Sequence, residues 1–485
     1  MRAVEFIKAV RADESTTKLG RIPNLLVMMA LIHRNDANLP HGRAKLYAKI
    51  SEAYLETIDH WRHIERTSEE WVARKRWLAR VGFEMQRRRS ETGPGEKKDQ
   101  EILATGEQVR SWIAAAMAES GQSGNEVDAA EFVEYLGKRS GLLLPRGHDR
   151  FAFLHLSFQE YFAACLLAQR VVTPAWIKGD NTRMLEGARQ DDLREHANRS
   201  LWRETLVFLI QLLAIDHQDW LLDARDCLFG PNFSAVQPTI DHWNRVLLLA
   251  RLVIDPYAGF DSRQKEEAIR VCCRYEMMMQ KEFESTATPY DNMVVRTLLS
   301  IERTSRDIIL EQLVAAAHEA QSPRLDLSGT GVTNISTLTS LPQLRYVNLK
   351  GTAITDISPL GKLVRLGRLD LSGTQVCDFS PLRNLKYLSY LGLNHTKMDD
   401  LSSLAGLLNL TTLGLSHTGV SDLGPLTRLP QLQNLDVTHT RVSDLSPLAR
   451  ISTLSCISIS KSKVSKDMIA SFQKRHPSCK VEPSN

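Results

Sequence analysis

Residues 366–387 read LGRLDLSGTQVCDFSPLRNLKY, and the next stretch, LSYLGLNHTKMDDLSSLAGLLN (388–409), repeats their apolar pattern position for position. Working outward, the inner position runs Leu327, Leu349, Leu371, Leu393, Leu415, Val437 and Ile459. Two residues earlier stand Leu325, Val347, Leu369, Leu391, Leu413, Leu435 and Ile457. Seven segments share one 22-residue period without an insertion. Alternating apolar positions such as Leu369 and Leu371 mark a short strand buried on one face. Val376, Phe379, Leu382 and Leu385 fill the return path. One such turn buries too little apolar surface to offset the ordering of its own backbone. Neighbouring turns must therefore stack and share a core.

A short repeat with an L-x-x-L-x-L core is the sequence mark of a leucine-rich-repeat solenoid. This one resembles the 22-residue, internalin-like class of bacterial repeats. The solenoid is expected over 323–485, as an α/β fold that offers a binding surface and no chemistry of its own. Ser358-Pro359, Ser380-Pro381 and Ser446-Pro447 each open a convex turn, with Ser suited to the N-cap and Pro to the first helical position. A column of hydroxyls (Thr330, Thr352, Thr374, Thr396, Thr418, Thr440, Ser462) is expected to bond the backbone of neighbouring turns. After Lys461 the pattern breaks. Met468, Ile469 and Phe472 have helical spacing, and Cys479 and Val481 suit a last strand that seals the stack.

Within each strand the non-leucine positions face the concave side. One column runs Tyr346, Arg368, Tyr390, Thr412, Asn434, and the next runs Asn348, Asp370, Gly392, Gly414, Asp436. Tyr and Arg dominate binding hot spots, so Tyr346, Arg368 and Tyr390 are the candidate anchors for a protein ligand. Gly392 and Gly414 are expected to leave a shallow floor beside them. Asn348, Asp370, Thr412, Gly414 and Asn434 complete the candidate surface. His395, His417 and His439 recur just before the threonine column, at the position where other repeats carry Gly. No acidic or thiol ligand recurs with them, so no metal is expected.

The low, odd count of seven cysteines has no paired spacing beyond Cys272-Cys273 and points to a reducing compartment. MRAVEFIKAVRADES lacks the apolar core of a signal peptide, and the apolar run from Leu25 to Ile32 is too short to span a bilayer. A cytoplasmic location without membrane contact is expected. From Arg324 onward 18 Lys+Arg stand against 11 Asp+Glu, while 43 stand against 46 before it. A mildly basic solenoid favours an acidic partner. Nucleic acid is not expected, since no stacking module or groove-reading motif is present. The basic stretch 86–98 contains Gly and Pro and reads as a solvated loop.

The first 320 residues are helical in pattern and lack a repeat. IPNLLVMMALIHR (22–34) is apolar on nearly all sides and is expected as a buried helix. Leu46, Ile50, Tyr54 and Leu55 hold helical spacing in the segment that follows. Leu142–Leu144 and Phe151–Leu154 flank a Pro-Arg-Gly-His turn and predict a β-hairpin. From Ser157 a helix carries Phe158, Phe162 and Cys165 on one face. A hairpin beside helices is the make-up of a winged helix, expected over 46–170. Helices continue through 171–322, including Trp202–Ile215 and Trp243–Ile254.

Pro23-Asn-Leu-Leu26, Leu39-Pro-x-x-Arg-x-x-Leu-Tyr47 and Phe153-Leu-His-Leu-Ser-Phe-Gln-Glu-Tyr-Phe-Ala-Ala164 together resemble the C-terminal half of a NACHT-type NTPase. That is the STAND class behind animal NOD-like receptors and bacterial anti-phage proteins. The resemblance implies that residues 1–45 end a NACHT module. It implies that Pro23 packs on an adenine and that His155 contacts the β-phosphate of bound ADP. Phe153, Phe158, Tyr161 and Phe162 read as core. No G-x-x-x-x-G-K-[ST] loop occurs in the 485 residues. The chain is therefore expected not to hydrolyse ATP, and ADP or ATP is expected only where a P-loop module is present. The implied function is the sensor half of a NACHT–leucine-rich-repeat protein in defence or signalling, with oligomerisation on activation. The alternatives are a stand-alone interaction scaffold and an ATPase completed in trans by a separate P-loop chain.

Overall fold

The computed structural model describes residues 2–12, 16–17, 20–36, 38–61, 68–91, 103–120, 126–137, 141–172, 187–233, 242–282, 292–300 and 303–482. Part of the basic stretch 86–98 lies outside them; its described part, to Glu91, ends a helix and is not a loop. The chain divides into two compact units, one built mainly from residues up to Val236 and the other mainly from Ser262 onward.

The first unit opens with α1 (Arg2–Arg11) and α2 (Pro23–Asp36). On α2 the side chains of Leu25, Met29 and Ile32 are buried, but Leu26, Val27 and Leu31 are exposed. The expected all-round burial of this helix is thus corrected: apolar residues cover its whole circumference, and only one stripe has packing partners. Then follow α3 (Arg43–Trp61), α4 (Ser68–Glu91), β1 (Ala104–Thr105), α5 (Gly106–Glu119), α6 (Glu126–Tyr135), β2 (Leu143–Pro145), β3 (Arg150–Phe153) and α7 (Leu156–Val172).

Strands β2 and β3 pair antiparallel with Leu143 opposite Phe153, as the sequence predicts, across a turn where Gly147 and Asp149 have positive φ. A third strand, β1, pairs with β3 and makes the sheet order β1-β3-β2. Thr105, at its end, caps α5 in a capping box with Gln108. Helix α7 is buried from Ser157 to Ala168, on all faces and not only the one predicted. It lies against α4 so closely that a Cβ on Gly82 would stand 2.7 Å from Cβ of Phe162. Around it Tyr47 meets Phe158 at 4.9 Å and Phe208 at 5.2 Å, and Tyr161 meets Phe208 at 5.7 Å. The helices α8 (Gly187–Ala197), α9 (Arg203–Asp216) and α10 (Gln218–Phe229) follow, and α11 (Trp243–Val253) comes after them.

The second unit contains α12 (Ser262–Glu282), α13 (Met293–Leu298) and α14 (Arg303–Glu319), then the solenoid. Eight parallel strands lie in sequence order: β4 (Arg324–Asp326), β5 (Tyr346–Asn348), β6 (Arg368–Asp370), β7 (Tyr390–Gly392), β8 (Thr412–Gly414), β9 (Asn434–Asp436), β10 (Cys456–Ser458) and β11 (Lys480–Glu482). Every leucine-type position named above from 325 to 459 is buried. Helix α15 (Lys466–Arg475) buries Phe472, and β11 closes the sheet on β10.

Two details differ from expectation. The threonine hydroxyls bond the carbonyl three residues back on their own turn, as Thr374 Oγ1 donates to Leu371 O at 2.7 Å and Thr396 Oγ1 to Leu393 O at 2.6 Å. A tight turn brings that carbonyl closer than any group on the next repeat. Nor does Ser cap the convex turns. Each convex turn is a 3₁₀ helix that Ser or Gly opens, with Pro inside it where present. The backbone N–H of Ser358, Ser380, Ser402, Gly424 and Ser446 donates to the carboxylate two residues earlier, on Asp356, Asp378, Asp400, Asp422 and Asp444. Asn334 does the same for Ser336.

Candidate functional site

The sheet sets Tyr346, Arg368, Tyr390, Thr412 and Asn434 side by side in register. Their side chains interlock. The guanidinium of Arg324 sits 4.5 Å from the Tyr346 ring, and that of Arg368 sits 4.7 Å from the Tyr390 ring. An Arg–Tyr–Arg–Tyr ladder thus spans four repeats, each cation placed on a π face that attracts it. Arg324 is the member that sequence reading missed; it stands in the same column one period before Tyr346. Burial, then Asp326, raises the phenol pKa of Tyr346, and burial, then Asp370, raises that of Tyr390. Both remain neutral hydrogen-bond donors.

The second column is polar and held in place. Asp326 accepts from Ser328 N at 2.8 Å and from Asn348 Nδ2 at 2.9 Å. Asp370 accepts from Ser372 N at 2.9 Å, and Asp436 from Thr438 N at 2.9 Å. Gly392 and Gly414 do not leave open floor. A Cβ on Gly392 would stand 2.6 Å from Asp370 Oδ1, and one on Gly414 would stand 2.8 Å from Asn394 Oδ1. The glycines make room for these neighbours, and Asn394 in turn accepts from Ser416 N across repeats at 2.8 Å. The surface has fixed side chains, which lowers the entropy cost of binding to it.

His395, His417 and His439 stack face to face, with centroids 4.2 and 3.9 Å apart. Their φ values are 57°, 57° and 56°, and Gly329, Gly351 and Gly373 hold the same left-handed conformation in earlier repeats. Desolvation, then the two neighbouring imidazoles, lowers the pKa of His417.

In the first unit, Pro23 is the first residue of α2 and is exposed. His155 precedes α7 and caps it: Nδ1 accepts from Ser157 N at 3.2 Å and lies 3.1 Å from Ser157 Oγ. That bond places the imidazole proton on Nε2, and burial, then Arg43, lowers its pKa. Phe153, Phe158, Tyr161 and Phe162 are buried. Glu160, in the same motif, sequence reading passed over. Its carboxylate is buried 3.6 Å from Arg89, and burial, then Glu204, pushes its pKa up to about 7. Arg43 pairs with Glu204 and lies 4.6 Å from the Phe208 ring.

Residues 43–167 match the family model of the winged helix-turn-helix domain C-terminal to NACHT. They are a NACHT-associated winged helix. Leucine-rich-repeat models match 342–384 and 408–450. The chain therefore joins a NACHT-associated winged helix to a leucine-rich-repeat solenoid. Among solved structures, an internalin (inlF) from Listeria monocytogenes is 34% identical over 34% of this chain, with a TM-score of 0.31. The match spans 48% of that internalin, so about half its length. An internalin C2 from the same species is 29% identical over 36% of this chain and 76% of its own, with a TM-score of 0.32. No curated protein matches. No helix among the described residues is long and apolar enough to cross a membrane.

Proposed function

We propose that this chain is the sensor half of a NACHT–leucine-rich-repeat system, cytoplasmic, with a protein ligand held on the concave face. The observation that carries the reading is the chain order: a NACHT-associated winged helix ahead of a solenoid that presents an ordered Arg–Tyr ladder. Tyr346, Arg368 and Tyr390 are the anchors, with Asn348, Asp370, Thr412 and Asn434 around them and Gly392 and Gly414 admitting the Asp370 and Asn394 side chains. The chain binds and does not hydrolyse; its role is in defence or signalling.

In this reading a P-loop NTPase module works with the first unit, and oligomerisation follows ligand binding. The exposed apolar stripe of Leu26, Val27 and Leu31 on α2 supports such a docking partner. His155 fits a phosphate contact, because Ser157 occupies Nδ1 and leaves Nε2–H as a donor. Pro23 fits a stacking contact, because its ring is exposed at a helix start. A bound ADP would meet the chain through these two residues.

The test is capture of the ligand by the double variant Tyr390→Ala/Arg368→Ala. The expected result is a loss of at least about tenfold in captured partner, with an unchanged circular dichroism spectrum and melting temperature. Undiminished capture refutes the concave-face assignment.

A further inference from the structure

Charge is sorted across the solenoid. From the start of each convex turn to the residue before the next strand (336–345, 358–367, 380–389, 402–411, 424–433, 446–455), every charged residue is a cation. Arg345, Lys362, Arg365, Arg383 and Lys386 are exposed there, crowded into three consecutive repeats. The opposite connections, from strand end to convex turn, hold the acidic caps Asp356, Asp378, Asp400, Asp422 and Asp444 beside fewer cations, Lys350, Lys397 and Arg441.

The same basic edge carries the exposed large apolar side chains of the solenoid: Val364 at 51%, Tyr387 at 66% and Leu408 at 54% relative exposure. They are not scattered. Val364, Lys386 and Leu408 occupy one column at 22-residue spacing, and Arg365 and Tyr387 occupy the next. The Lys386 ammonium reaches toward Gly406 of the next repeat, whose Cβ would stand 2.8 Å from Nζ. Gly367, Ser389 and Thr411 form a low sill between this strip and the Tyr346–Arg368–Tyr390 ladder.

We infer that this edge is a second interaction surface, which takes an extended acidic protein segment with apolar side chains between its carboxylates. Charge complementarity selects the acid: Arg345, Lys362, Arg365 and Lys386 are exposed cations that attract carboxylates. The apolar column selects a peptide over a nucleic acid, since Val364 and Leu408 have nothing to offer a phosphate backbone. The inference concerns a different face from the ladder and stands or falls separately.

The probe is a fluorescein-labelled peptide of about 12 residues alternating Glu with Leu, about 40 Å long when extended and so long enough to cross the whole strip. Its anisotropy is followed with the full-length chain at low and high salt, beside an all-Glu peptide, a Lys/Leu peptide, a single-stranded oligothymidine and anionic phosphatidylserine vesicles. The Glu/Leu peptide is expected to bind at least about tenfold more tightly than the other probes, with weakening at high salt. Arg365→Glu/Lys386→Glu and Tyr387→Ser/Leu408→Ser should each weaken it about tenfold, while Tyr390→Ala/Arg368→Ala leaves it unchanged. Tighter binding of oligothymidine or vesicles, or equal binding by the edge variants, overturns the inference. Sedimentation of the chain alone reads out the remaining occupant: salt-sensitive self-association through its own acidic edge would overturn it too. If the edge variants bind normally but the ladder variant does not, the edge proposal fails and the concave-face reading stands.

Discussion

At the scale of single residues, the winged helix keeps a carboxylate where water is scarce. Glu160 sits on the fully buried α7, and burial outweighs the nearby Arg89 and Arg43, so its pKa rises to about 7. A carboxyl whose folded pKa exceeds its unfolded one contributes stability that is complete below the unfolded pKa and is lost as pH rises through the folded value. Glu160→Gln should therefore match the wild type near about pH 4.5 and melt a few degrees higher above about pH 7. Thermal melts of both proteins across that window check it; a variant that melts lower at neutral pH would show that the Arg89 pair dominates instead. Glu160 was invisible as a special residue in the sequence, because F-Q-E-Y-F does not reveal which side of the helix is dry. The aromatic residues of the same motif were legible, since their size and spacing leave only the core for them.

At the scale of elements, each repeat is a strand, a hydroxyl-closed turn and a capped 3₁₀ helix. The leucine columns were fully readable, because period and burial go together. The cap was readable too, but at the wrong residue: Asp356, Asp378, Asp400, Asp422 and Asp444 recur at the repeat period, two residues before the Ser or Gly that opens each turn. Ser380 N and Oγ hold the Asp378 carboxyl below the usual carboxylate range; Ser402 and Ser446 do the same for Asp400 and Asp444. A depressed carboxyl contributes stability that is complete above its unfolded pKa and is lost as pH falls through the folded value. Asp378→Ala/Asp400→Ala/Asp444→Ala should lower the melting temperature at neutral pH and flatten its fall under acid. Calorimetry from neutral pH to below the carboxylate range tests this, and a parallel pH profile would contradict it. Side-chain partnerships between repeats were the least legible level. The cation–π pairing of Arg324 with Tyr346, and the fit of Asp370 over Gly392, depend on which residue stands one period away.

At the scale of the whole chain, a NACHT-associated module and a repeat surface stand in one polypeptide, each built by its own rule. In the winged helix, buried aromatics around α7 specify the core, and His155 caps that helix while its other nitrogen stays a donor. In the solenoid, a uniform core leaves the concave ladder and the basic edge to vary. Domain order was legible from motif and period. The half-exposed α2 was not, because apolar residues around a whole circumference do not show which stripe is covered.

The most direct test of concave recognition is hydrogen–deuterium exchange of the full-length chain with and without its captured partner. Added protection is expected in the strand segments 345–350, 367–372 and 389–394, with the convex turns unchanged. Protection confined to the convex turns or to the first unit, with those strands exchanging as before, would contradict it.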